Sequence, residues 1–383
     1  MFTSGIFFKE FKIKKKTSKV KKKLLLIIKD KNDLILSFGN SYRNSFKKKS
    51  IAKYKKFKNI RVIGMGGSTL GSQTIYDFLK HKIRKNFLFI NNLQPKQKKT
   101  TKQFLSLVIS KSGNTTETIA NANIFIKKKD KSIFITENKD NYLHKLAKKL
   151  KSEVIHHNNY IGGRYSVLSE VGMLPAELMG LKSDNFRQFN SLVKNTKFLN
   201  ALISNVTSTL FFIQKGKFNS IIINYDEKSD SLFNWYQQLI AESLGKKKKG
   251  LLPIVSSMPK DNHSVMQLYL DGFQKNFFTF FYVHENKSDK INNSLILSSQ
   301  KFLKNKKITD IIYAQKKATE KVFDQNKIPY RTFEIKKRDE KTLGELFCFF
   351  MLETILLSNC LKINPFDQPA VELIKQQTKK ILI

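Results

Sequence analysis

The 383-residue sequence predicts an α/β protein in two units, and three observations carry that expectation. A short apolar run, Ile60–Ile63, leads through a glycine-rich turn, Gly64–Gly71, into an amphipathic helical pattern. The same layout returns at residues 104–126, with hydroxyl residues in the turn. A third start near residue 190 gives a helix, a strand at Ser220–Asn224 and another helix. Strand, tight turn, helix is how an open, mostly parallel sheet brings backbone amides to an anion.

In order, the chain begins with a lysine-rich lead-in over residues 1–45, expected to be helical or poorly ordered. Its apolar run, Leu24–Ile28, is too short for a signal-peptide core or a membrane span. Residues 46–189 form the first unit. In the Ser110–Thr118 turn, hydroxyls, Lys111, backbone amides and a helix start gather as anion donors. One hydroxyl there would also serve simply as a helix cap. Arg164 follows two glycines, a place from which its guanidinium can face an anion or sit at the surface. A helix is expected from Glu170 through Leu178.

Residues 190–383 form the second unit, with a helix near 190–207 ahead of the Ser220–Asn224 strand. In Asn234–Lys246, Trp235, Leu239, Ile240 and Leu244 recur at helical spacing, and Gly245 is a stop. Gln238 and Glu242, one turn apart, share the flank of that stripe. A carboxylate half out of water there suits proton transfer, although a solvated surface glutamate has the same pattern. Beyond the basic turn Lys246–Lys249 come Pro253 and a loop from Ser256 to His263, with His263 opening a helix. Strands are expected at Phe277–Val283 and Lys307–Tyr313, then a buried apolar helix at 342–361 interrupted by Glu353, and a turn leading into a final helix.

Composition narrows the function. A net charge of +41 points toward a polyanion partner. The charge is almost all lysine, with arginine at seven positions, and Lys, Asn, Ile and Phe are abundant together, as an AT-rich coding bias produces. A specific nucleic-acid reader would use more arginine. Cys348 and Cys360 lie in one apolar segment without metal-ligand spacing, which suits buried thiols in a reducing cytoplasm. No His/Cys cluster supports a metal.

Six stretches in order, Gly64–Gly71, Ser110–Thr118, Gly163–Ser166, Gln237–Lys246, Asp261–Gln267 and Gln368–Lys375, make the sequence resemble the phosphoglucose isomerase family over roughly residues 55–380. The resemblance implies two sugar-isomerase domains, each a doubly wound, mostly parallel sheet flanked by helices, with a C-terminal helix added. It implies interconversion of glucose 6-phosphate and fructose 6-phosphate through a cis-enediolate, in glycolysis and gluconeogenesis, with no cofactor and no metal. By the same resemblance Ser110, Lys111, Ser112 and Thr115 hold the phosphate, Gly67, Ser68 and Gln238 lie by the sugar, and Gln368 closes over the phosphate. Glu242 moves the proton, Arg164 stabilises the enediolate, His263 assists ring opening and Lys375 sits near the ring oxygen. A cytoplasmic homodimer is implied, with His263 reaching the neighbouring subunit's site, a phosphosugar as ligand, and neither a specific nucleic acid nor a membrane as partner. The alternatives are an isomerase that also accepts mannose 6-phosphate and a non-catalytic phosphosugar-binding regulator.

Overall fold

Runs rich in Ile, Val and Phe form the strands, and the amphipathic runs between them form the helices. The computed structural model describes residues 2–13, 15–30, 32–96 and 102–383. In chain order the first elements are β1 (Ile6–Lys9), α1 (Ser18–Lys29), β2 (Asn59–Gly64), α2 (Leu70–Phe78), β3 (Asn86–Ile90) and β4 (Leu105–Ile109). They continue with α3 (Thr116–Phe125), β5 (Ser132–Thr136), α4 (Tyr142–Lys149), β6 (Glu153–His156), α5 (Glu170–Met179) and α6 (Thr196–Gln214). The second half adds β7 (Asn219–Asn224), α7 (Asp230–Leu244), β8 (Leu252–Ser257), α8 (Met266–Asp271) and β9 (Asn276–Val283). The last are α9 (Ile308–Gln325), β10 (Tyr330–Ile335), α10 (Glu340–Leu361) and α11 (Pro369–Leu382).

Two five-stranded sheets result. The first has the order β3-β2-β4-β5-β6, parallel at every pairing. The second has the order β1-β10-β9-β7-β8, parallel except where β1 pairs β10 antiparallel. Alternation along the strands gives each sheet two apolar faces. Val62, Leu107, Ile133 and Ile135 join one large core with Ile222, Phe277 and Phe333 of the second sheet. The intervening Ile63, Val108 and Phe134 pack outward under α3 and α4, while Ile221, Phe278 and Phe280 pack outward under α8 and α9. Helices therefore cover both faces of both sheets, the doubly wound arrangement expected.

Helix α10 threads the shared core. Among the described residues it is the one helix long and apolar enough to cross a membrane, and 89% of its apolar window is buried within the chain. Glu353, which interrupts its apolar run, pairs with Arg331 at 2.5 Å, and both side chains are buried. Trp235 of α7 meets Phe347 of α10 edge-on at 4.9 Å.

Several expectations are corrected. Residues 307–313 are not a strand but the cap and first turns of α9. The Asp310 carboxylate accepts from the Lys307 backbone N–H at 2.9 Å, and Ile308, Ile312 and Phe323 continue at helical spacing beyond the β-branched residues that suggested a strand. Leu252–Ser257 is a strand rather than the approach to a loop. It is an edge strand, so Pro253 is tolerated. The lead-in includes α1, as a helical reading allows, but it also supplies β1, and Phe2, Ile6, Phe11 and Leu24 are buried. Met1, Lys14 and Lys31 of that lead-in lie outside the described residues. The helix placed near 190–207 begins at Thr196 and runs to Gln214.

Candidate functional site

The first sheet changes winding direction between β2 and β4: the chain leaves β2 for β3 on one side, and β4 lies on the other. Ligands in open α/β sheets sit beyond the strand C-termini at such a reversal. Both glycine-bearing turns lie there, because Gly64 pairs with Ile109 and Ser110 follows directly.

In the Ser110–Thr115 turn, the Ser110 and Thr115 hydroxyls bond each other at 2.9 Å. Thr115 stands at the N-cap of α3, yet no side chain caps the helix. The hydroxyl is thus held beside its neighbour, and the first-turn amides have no side-chain acceptor among the described residues. Ser112 is exposed and its hydroxyl accepts weakly from the Asn114 N–H at 3.3 Å. Gly113, at φ +67°, backs onto Asn141, where an added Cβ would lie 1.9 Å from the amide oxygen, so only glycine fits. Lys111 points away from the hydroxyls. Its Nζ donates to the Asn159 carbonyl at 2.6 Å and lies 3.6 Å from Glu137.

The other turn places Gly67 against the helical turn Gly163–Leu168. An added Cβ would sit 2.2 Å from the Gly163 carbonyl carbon and 2.7 Å from the Arg164 N. Ser68 is half-buried beside it. This close approach seats Arg164, 2% exposed, against α7.

Around Arg164 the remaining groups converge. Its Nη1 donates to Glu242 Oε2 at 3.0 Å and also to Gln368 Oε1. Its Nη2 donates to the carbonyls of Pro365 and Asp367 at 2.6 and 2.9 Å, and its Nε to Ser243 Oγ at 2.9 Å. Gln238 Nε2 donates to Glu242 Oε1 at 2.9 Å, so each carboxylate oxygen has a fixed partner. Gln238 Oε1 is buried without a partner among the described residues. Lys246 anchors the 364–368 turn to the end of α7, with its Nζ 2.8 Å from Asp367 Oδ1 and donating to the Asn364 carbonyl.

Two expected residues are not gathered here. His263 ends a short helical turn, Lys260–His263, rather than opening α8; it is exposed, and its side chain makes no hydrogen bond or ion pair among the described residues. Lys375 lies on α11, which buries no residue, and its ion pair is with Glu372 at 3.1 Å on the same helix. The structure also adds residues given no role from the sequence. Ser243 is fully buried between Arg164 Nε and the Tyr165 hydroxyl, each at 2.9 Å. The signal was present: Ser243 is a hydroxyl at an apolar-stripe position, three residues beyond Ile240.

A carboxylate fixed beside a buried guanidinium, packed against the turn after β2 whose neighbour β4 leads into an uncapped helix start rich in hydroxyls, can remove a proton and steady the resulting oxyanion while a phosphate anchors the substrate. Residues 28–257 match the family model for phosphoglucose isomerase. The chain belongs to the phosphoglucose isomerase family. Glucose-6-phosphate isomerase of Methanocaldococcus jannaschii is 30% identical over 377 residues, covering 88% of this chain and 92% of that protein. The Acholeplasma laidlawii enzyme of the same name is 31% identical, covering 86% and 84%. Among solved structures, a hypothetical protein from Thermus thermophilus superposes with a TM-score of 0.83 at 22% identity, covering 96% of this chain and 94% of that one. A glucose-6-phosphate isomerase from Chlamydia trachomatis gives 0.69 at 20% identity, covering 88% and 72%. Those two likenesses speak for the fold, in keeping with the family's paired sugar-isomerase sheets.

Proposed function

We infer that this chain interconverts glucose 6-phosphate and fructose 6-phosphate, an isomerisation used in glycolysis and gluconeogenesis. Family membership supports the reaction, and one observation carries the assignment to this site: Glu242 is held by Gln238 and Arg164, and Gln238 lies against Gly66 in the turn after β2, the strand that neighbours β4 and its uncapped hydroxyl turn. In this scheme Ser110, Ser112, Thr115 and the first amides of α3 bind the phosphate. Lys111 contributes by turning from the Asn159 carbonyl toward the anion. Gly67, Ser68 and Gln238, whose Oε1 has no other partner among the described residues, receive the sugar hydroxyls, and Gln368 closes above them.

Glu242 takes the proton from C2 of the open-chain aldose and returns it to C1. The cis-enediolate formed between these steps carries negative charge on oxygen, and Arg164 stabilises it; the hydrogen bond from its Nη1 to Glu242 supports that reading. The sugar ring must open first, which needs an acid at the ring oxygen; His263 and Lys375 take that part. Both are exposed in the single chain. We therefore place His263 in the neighbouring subunit's site of a symmetric homodimer, and α11, with Leu373 and Ile374 exposed, folds toward the site when the dimer and substrate are in place. Division of the chain near residue 190 into two sugar-isomerase domains belongs to the same proposal, as does a cytoplasmic location, which suits the free thiols Cys348 and Cys360.

Crystals soaked in fructose 6-phosphate provide the test. The expected density puts the phosphate on Ser110–Thr115 and the C1–C2 edge against Glu242. A phosphate bound elsewhere, with Glu242 remote from C1 and C2, removes the assignment.

A further inference from the structure

We propose that Ser243, acting with Tyr165, is the positioning residue that orients the Arg164 guanidinium toward Glu242. The inference rests on Arg164 stabilising the enediolate, and goes further by naming what aims it.

The back edge of the guanidinium closes a ring of hydrogen bonds. Arg164 Nε can only donate, so Ser243 Oγ accepts at 2.9 Å. Ser243 Oγ and the Tyr165 hydroxyl lie 2.9 Å apart, and the Tyr165 hydroxyl lies 3.4 Å from the Pro365 carbonyl, which can only accept. That carbonyl also accepts from Arg164 Nη2 at 2.6 Å. One direction of the ring places a donor on every bond: Arg164 Nε to Ser243, Ser243 to Tyr165, Tyr165 to Pro365, and Arg164 Nη2 to Pro365. Burial pushes the Tyr165 phenol up from its ordinary value, so the hydroxyl keeps its proton near neutral pH.

With Nε and Nη2 tied from behind, the planar fork has one free direction for Nη1, and it meets Glu242 and Gln368 there. Ser243 is the neighbour of Glu242 in sequence, on the last turn of α7. One helical turn thus supplies both the carboxylate and the acceptor that aims its cationic partner. The arrangement is rigid because Ser243, Tyr165 and Arg164 are each at most 2% exposed, leaving no water to replace a lost partner.

Removing the hydroxyl leaves a buried N–H unsatisfied and the fork free to tilt, while a methyl in place of a hydroxymethyl keeps nearly the same volume. The experiment measures kcat and KM for fructose 6-phosphate in the wild type, Ser243→Ala, Tyr165→Phe and Arg164→Lys, and in Ser243→Ala combined with Arg164→Lys. Ser243→Ala is expected to lower kcat by about 10- to 100-fold, the scale of a small misplacement, with KM within about twofold. Tyr165→Phe is expected to give a smaller loss of the same kind. In the Arg164→Lys background, which has no Nε to position, Ser243→Ala is expected to change kcat by less than about twofold. Thermal midpoints follow folding separately. Wild-type kcat in Ser243→Ala, or an equal loss in both backgrounds, overturns the proposal and leaves the isomerase assignment standing. Wild-type kcat in Arg164→Lys strikes the role of Arg164 instead, and the two failures are distinct.

Discussion

Helices α7 and α11 each carry a residue assigned to the same reaction, Glu242 and Lys375, in opposite surroundings. On α7, Trp235, Leu239 and Leu244 are fully buried, and Glu242 is held by two neighbours. On α11 nothing is buried; Leu373, Ile374 and Ile381 face outward, and among the described residues Lys375 pairs with Glu372 of its own helix. In the proposed scheme the chemistry at C1 and C2 is preorganised within one chain, whereas ring opening draws on groups that the single chain leaves facing outward. Preorganisation matters most where charge develops, since dipoles fixed beforehand need no reorganisation in the transition state.

Substitutions on either side of that divide should separate cleanly. Glu242→Gln keeps the shape of the site and one acceptor for Arg164, while its NH2 can no longer accept from Gln238 or take a proton, so kcat should fall by about 10²- to 10⁴-fold with little change in KM; activity near wild type in a coupled assay removes Glu242 as the base. Mixing inactive Glu242→Gln with inactive His263→Ala after subunit exchange should restore about a quarter of wild-type activity, because half the dimers are mixed and each has one intact site. No restoration, with exchange verified by mass, would place His263 in its own subunit. Gly67→Ala tests the preorganised side through packing. Its methyl must separate the 66–68 turn from Gly163 and Arg164, and a destabilisation of about 1–3 kcal/mol by denaturant titration is expected together with lost activity. Lys375→Ala should lower kcat while leaving the unfolding midpoint unchanged, since its helix adds nothing to the core.

The smallest effect concerns acid stability away from the site. Burial pushes the Glu334 carboxyl up, but the bonds and charge of Lys316, with His284 and Lys317, outweigh it and bring it down to about 2 from an ordinary 4.5. A depressed carboxylate stabilises the fold above its unfolded value and loses that contribution as pH falls. The thermal midpoint should therefore drop between pH 4.5 and 2, and Glu334→Gln should flatten that drop.

What was legible in the sequence follows from locality. Ile60–Ile63, the 110–118 turn and the Trp235–Leu244 stripe each state their conformation within a dozen residues, and the structure places them as expected. The misreading at 307–313 came from β-branched residues judged over too short a window, when the apolar spacing continued to Phe323. Ser243 was passed over because its importance lies in Arg164 and Tyr165, roughly eighty residues away, and hydrogen-bond partners at that range leave no periodic trace. Pro253 obscured an edge strand, since its tolerance there depends on having a neighbour on one side only.

The antiparallel pairing of β1 with β10 has a consequence for the order of assembly. Lys9 and Tyr330, whose side chains meet across that pairing, are 321 residues apart in the chain. During synthesis residues 6–9 emerge about 320 residues ahead of their partner strand, so this ladder cannot close until that whole intervening stretch is available. Until then the β10 side of the second sheet has no cover, and the late pairing of β1 finishes that rim with a short, lysine-ended strand that discourages another chain from pairing there.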